Sequence, residues 1–117
     1  MNAASKSIYY FGMYLILVGV SLVVVPNIVL STLQLPETNE VWIHIVGVLV
    51  FNIGILYYVM AKENNRTFMM LSAYLRASVF VWFVLFVAIG WAPPMLIGFG
   101  VVDLLGAIWT YTALRKS

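Results

Sequence analysis

Four predominantly apolar runs, each long enough to cross a bilayer, divide this chain and leave little else: Ile8 to Val25, Val41 to Ala61, Phe68 to Ile89 and Met95 to Leu114. A hydrocarbon core about 30 Å thick takes roughly 20 apolar residues of helix. Four such runs and their short connections use all 117 residues, so residues 1–117 read as one transmembrane domain. With 9% of its residues charged, the chain stands far from the soluble average of about 25%. The expected fold class is therefore all-α: a polytopic membrane protein, an antiparallel four-transmembrane-helix bundle, because short connections make successive helices neighbours of opposite direction. Its first partner is the lipid bilayer.

The first run follows a short polar lead, Met1 to Ser7, that carries Lys6. Its 18 residues exceed the roughly 7 to 15 of a signal-peptide core, and no small-x-small cleavage pattern follows, so it reads as a retained helix. Pro26 ends or kinks that helix, and Asn27 to Leu33 continue as a turn or two at the outer interface. Leu35-Pro36-Glu37-Thr38-Asn39 resembles a sortase pentapeptide, but Asn39 replaces the glycine and the motif lies between two spans, so it reads as coincidence.

Basic residues near the spans set the orientation. Lys6, Lys62, Arg66, Arg115 and Lys116 fall on one side, and Glu37 and Glu40 on the other. Both termini are thus expected in the cytoplasm, and the net charge of +2 belongs to this anchoring set. No basic cluster is long enough to suggest a nucleic-acid partner. The absence of cysteine excludes disulfides, thiolate metal sites and thiol nucleophiles.

Two spans carry a charge where a membrane helix should carry none. Arg76 sits in the third and Asp103 in the fourth, each at an insertion cost of roughly 2.5 to 3.5 kcal/mol. Such residues face the protein interior and mark an ion pair or a functional site. At about 1.5 Å per residue, Asp103 lies about 13 to 14 Å from the outer boundary, and Arg76 roughly 4 to 7 Å nearer the cytoplasm. The arginine can reach across, either directly or through Asn52, a tyrosine or water. The fourth run has nine Leu, Ile, Phe or Val residues against twelve in the third, so its insertion leans on its neighbour.

Helical spacing puts Leu96, Gly100, Asp103, Ala107 and Thr110 on one stripe of the fourth run, and Ser72, Ala73, Arg76, Phe80, Phe83 and Val87 on one stripe of the third. In the second run His44, Phe51 and Tyr58 align, with Asn52 about 80° away, so a broad face can turn both polar residues inward. The expected intramembrane polar cluster is Arg76, Asp103, Asn52 and His44. A single histidine with no cysteine forms neither a metal nor a haem site within one chain, so no cofactor is expected. Asp103 with His44 is the one acid and base combination available to catalysis. Tyr9, Tyr10, Tyr14, Tyr57, Tyr58, Trp109 and Tyr111 read as an interfacial aromatic belt at the cytoplasmic end.

Small residues let helices approach closely in lipid. Gly12 and Gly19 share one face of the first run, Gly47 and Gly54 one face of the second, and Gly100 lies on the stripe of Asp103. Helices one and two are expected to meet along these glycines.

The outer Leu33-x-Leu35-Pro36, the Val46-Gly47 to Gly54 stretch followed by Tyr57-Tyr58, the membrane arginine Arg76, and Gly98-x-Gly100-x-x-Asp103-Leu104-Leu105-Gly106-Ala107-x-Trp109-Thr110 together resemble the DoxX-like and related small four-helix proteins of the bacterial inner membrane. That resemblance spans nearly the whole chain and implies a single four-helix bundle in the cytoplasmic membrane, without implying a particular biochemistry. The preferred expectation is a non-enzymatic protein that binds a membrane protein partner, a second copy of itself or a small apolar ligand. An oligomeric transporter or channel using Asp103 and Arg76, and a membrane enzyme acting on a lipid or quinone, are the alternatives.

Overall fold

The computed structural model describes residues 2–116, which are all-helical apart from turns and short extended links. The elements in order are α1 (Ala3–Val24), α2 (Pro26–Thr32), α3 (Val41–Glu63), α4 (Arg66–Ala88) and α5 (Met95–Lys116). Among the described residues, α1, α3, α4 and α5 are long and apolar enough to cross a membrane.

Local chemistry sets where each helix begins and ends. The first helix starts at Ala3, five residues before the apolar run, because Asn2 caps it: its side-chain oxygen accepts from the Ser5 N–H at 2.8 Å. Its far end is fixed by Pro26, which has no N–H to give and opens α2 in the position where proline fits best. Val25 leaves helical geometry at φ −135°. At the other end, Asn64 takes a left-handed conformation (φ 52°) that closes α3, and Asn65 caps α4 by accepting from the Phe68 N–H at 3.0 Å. The Asn64 side-chain oxygen also accepts from the Asn2 amide (3.1 Å) and the Ser5 hydroxyl (2.7 Å), which ties the start of α1 to the α3–α4 turn.

The closest packing is between α1 and α3. A Cβ on Gly19 would lie 2.5 Å from the Phe51 nitrogen, and one on Gly54 2.7 Å from the Ile16 nitrogen, so backbone meets backbone and any side chain would force the helices apart. Gly12 sits against the Gly54 carbonyl and Gly47 against the Gly19 carbonyl, while Gly100 lies under the Phe83 ring on α4. The second tightly packed pair is α4 with α5, and α1 joins the two pairs through α5. The spatial order is therefore α3, α1, α5, α4, a curved row with Cα extents of 44 × 30 × 17 Å.

Although a two-residue turn links them, α3 and α4 are not close-packed along their length. They meet near the turn, where the Tyr57 and Phe68 rings stand 5.3 Å apart, and then diverge. One core cluster, built on Ile8, Phe11, Tyr57, Met69 and Leu114, fills the end near that turn. A second, built on Leu22, Leu30 and Ile43, fills the end near α2.

Candidate functional site

Arg76 is 3% exposed and its partners come from its own helix and from three others. On its own helix, one turn back, Ser72 accepts from Nε through its carbonyl and from Nη2 through its hydroxyl, both at 3.3 Å. From α5, Thr110 accepts from Nη2 at 2.7 Å. From α1, the Phe11 ring lies 4.7 Å from the guanidinium carbon, and from α3 the Tyr57 ring lies at 5.6 Å, both within cation–π range. Nη1 is buried and has no hydrogen-bond partner among the described residues.

The network extends to α1. Thr110 is fully buried, with its oxygen 2.5 Å from the Ser7 hydroxyl, and Ser7 donates to the Ala4 carbonyl at 2.6 Å. With the Ser7 proton committed to that carbonyl, Thr110 donates to Ser7 while accepting from Arg76. Ser7, Ser72, Arg76 and Thr110 thus clamp α1, α4 and α5 together.

Asp103 lies outside this clamp. Among the described residues, no ion pair within 4.0 Å joins it to Arg76. Helix geometry explains why. Side chains lean toward the N-terminus of their own helix, so Arg76 leans toward Ser72 and the level of Thr110. Asp103 stands seven residues, about two turns or roughly 10 Å, before Thr110 on α5 and leans the other way. The half-buried carboxylate instead lines a cavity of about 660 Å³ that it shares with Arg76 and Ser72.

That cavity runs along the gap between α3 and α4, with α1 and α5 as its floor. Its lining is apolar except for Ser72, Arg76, Asp103, Tyr14, Tyr57 and the indole of Trp42. Ile53 and Leu56 on one flank and Leu71 and Leu75 on the other line it and are themselves exposed, so the cavity is a groove open along the side of the molecule. The volume falls in the usual range for small-molecule sites, about 300 to 1,000 Å³.

The four residues expected to cluster are divided by the structure. It brings Arg76 and Asp103 to one groove but places Asn52 and His44 elsewhere. Asn52 is exposed on α3 and does not line the groove. At 100° per residue it stands about 200° from Gly54, on the far side of the ridge that packs on α1. His44 donates from Nδ1 to the Val23 carbonyl at 2.8 Å, filling a place left empty where Pro26 interrupts α1. It does not line the groove with Asp103. Tyr14 and Tyr57, expected in an interfacial belt, face the groove instead.

Ser7 and Thr110 were the residues to find. Thr110 lies on the stripe of Asp103, but Ser7 belongs to the polar lead, and its role shows only once the Asn2 cap carries α1 back past Ile8. No family model matches the chain, and no curated protein or solved structure does either, so the likeness to DoxX-like proteins rests on the residues quoted for it alone.

Proposed function

We propose that this chain is a small integral membrane protein that binds an apolar or amphiphilic molecule dissolved in the bilayer, without transforming it, in the groove between α3 and α4. In this reading the four long helices form an antiparallel bundle in a bacterial inner membrane with both termini in the cytoplasm, an orientation that the placement of Lys6, Lys62, Arg66, Arg115 and Lys116 on one side supports. The groove then opens sideways into the acyl chains, and a ligand enters from lipid. The observation that carries the reading is the groove itself: about 660 Å³, apolar flanks and a charged pair of residues on its wall. A transporter or channel needs water to reach Asp103, and the apolar lining around it favours binding over conduction.

The test is photolabelling in proteoliposomes with an alkyl diazirine. A binding groove gives saturable labelling of Ile53, Leu56 and Leu75, while Leu17 (67% exposed) and Val81 (65% exposed), outside the groove, label in proportion to the probe. Labelling that rises linearly at all five positions would refute the reading. Proton or ion flux through the same liposomes, lost in Asp103→Asn, would put the transporter in its place.

A further inference from the structure

Asn52 stands at the midpoint of α3 (Val41–Glu63), eleven residues or about 16 Å from either end of a helix long and apolar enough to cross a membrane. Its amide is exposed and has no hydrogen-bond partner among the described residues. A side chain this short cannot lift its head to either interface as lysine or arginine does, so in a bilayer it lies in hydrocarbon, where an unsatisfied amide is costly. Gly47 and Gly54, which pack on α1, occupy the opposite side of the helix. The residues around Asn52 follow a pattern. Ile45 and Val59 stand seven residues before and after it, and Val41, Val48 and Ile55 complete the same stripe at alternating steps of four and three. All six side chains are exposed, and none lines the groove, whose α3 wall is built from the neighbouring face.

From this arrangement we infer that α3 pairs in parallel with α3 of a second copy of the chain, about a two-fold axis along the membrane normal, with Asn52 against Asn52. The inference rests on α3 spanning the bilayer, as proposed above, and not on what the groove holds. The amide is what selects a second copy over another partner. It carries both a donor and an acceptor, so it is its own complement, and a two-fold axis brings one residue to itself at one depth, where two reciprocal N–H···O bonds form. Steps of four and three residues keep such a seam in register through a left-handed crossing of about 20°, the geometry common between membrane helices. The flanking Ile and Val side chains each have one strongly preferred rotamer in a helix, so packing them against their copies costs little freedom. Lys62, next on the stripe, holds its ammonium 4.3 Å from the centre of the Tyr58 ring, aside from the seam, so the two copies do not bring like charges together.

The test has two arms, both on the full chain in membranes. The chain has no cysteine, so one introduced cysteine reports its own encounters. Under a mild oxidant, Ile45→Cys and Val59→Cys are each expected to give disulfide-linked dimers, since a parallel pair brings both positions to their copies, whereas Leu17→Cys on α1 and Leu105→Cys on α5, equally exposed, stay monomeric. In the second arm, energy transfer between copies carrying dyes at Lys116→Cys is followed as lipid is added, which gives a dissociation constant. Asn52→Leu is expected to weaken it about eightfold, the worth of two hydrogen bonds between membrane helices, because the added apolar surface is matched equally well by lipid. Cross-linking at the same rate on all three helices, a parent chain that stays monomeric at every lipid ratio, or a folded Asn52→Leu that associates as the parent does would overturn the pairing. Groove labelling should be the same in Asn52→Leu as in the parent, so a failure of the binding function and a failure of the pairing are read separately. At high dilution in micelles the copies separate, and unfolding there reports on the lone chain.

Discussion

Replacing Thr110 by valine keeps the shape of the side chain and deletes one oxygen, which isolates the clamp that holds Arg76. The variant removes the acceptor of the 2.7 Å bond from Nη2 and the donor to Ser7, whose hydroxyl keeps its bond to the Ala4 carbonyl. Hydrogen bonds to charged groups are worth about 1.5 to 3 kcal/mol, whereas neutral bonds between membrane helices average about 0.6 kcal/mol. Thr110→Val is therefore expected to cost about 2 kcal/mol, and Ser7→Ala, which touches only the neutral end of the chain, about 0.6 kcal/mol. In an Arg76→Met background the charged donor is gone, so Thr110→Val should fall to about 0.6 kcal/mol, a coupling of about 1.4 kcal/mol. Reversible unfolding in mixed micelles of increasing denaturing-detergent fraction gives all three numbers. If Thr110→Val costs no more than Ser7→Ala, or the same with Met at position 76 as with Arg, the clamp does not hold the arginine.

The other expectations concern residues around it. Asp103→Asn should change stability by no more than about 0.5 kcal/mol in the same unfolding assay; a loss of about 3 to 5 kcal/mol, the cost of breaking a buried ion pair, would mean that Asp103 and Arg76 bond directly. Gly19→Val, with its Cβ forced to 2.5 Å from the Phe51 nitrogen, should separate α1 from α3 and abolish folded protein by size-exclusion chromatography, while Gly98→Ala, with nothing nearer than the Met95 sulfur at 3.9 Å, should elute as the parent does. His44→Leu should lower stability by about 1 kcal/mol through the lost bond to Val23 and leave groove labelling unchanged. Asn52→Leu should not lower stability in the same assay, because the amide is exposed on α3, away from the ridge that packs on α1.

The number and order of the long apolar helices, the glycine contact between the first two and the placement of Arg76 and Asp103 toward one interior were legible because each is a statement about period and hydrophobicity. Helix starts were less so. The Asn2 cap precedes the apolar run by several residues, and a reading keyed to hydrophobicity leaves Ser7 outside the helix it belongs to. Asn52 was misplaced for a different reason: a helical wheel shows which residues share a face but not which face is filled. The signal was present in Gly47 and Gly54, since the close-packed ridge fixes the buried side and Asn52 stands opposite it. Whether the two charges bond directly stayed open in the sequence, because depth puts Asp103 within an arginine's reach while side-chain lean points the two apart; in the structure the lean prevails and the arginine reaches Thr110. Divergence of α3 from α4 after so short a turn has no local signal at all.

That divergence follows from how α1 is used. Its glycine face is spent on α3, and its Ala4, Ser7 and Phe11 face is spent on the clamp around Arg76, so α1 holds α3 on one side and the α4–α5 pair on the other. The α3 face that turns toward α4 is left with Ile53 and Leu56 and no small residue to let a second backbone approach. In lipid this gap costs little, because a hydrocarbon tail packs against Ile53 or Leu75 about as well as another helix does. For the same reason the apolar walls cannot select among hydrocarbon chains of similar size. Whatever selectivity the groove has must come from its few polar groups, which are the tyrosine hydroxyls of Tyr14 and Tyr57, the indole of Trp42, Ser72, Arg76 and the carboxylate of Asp103.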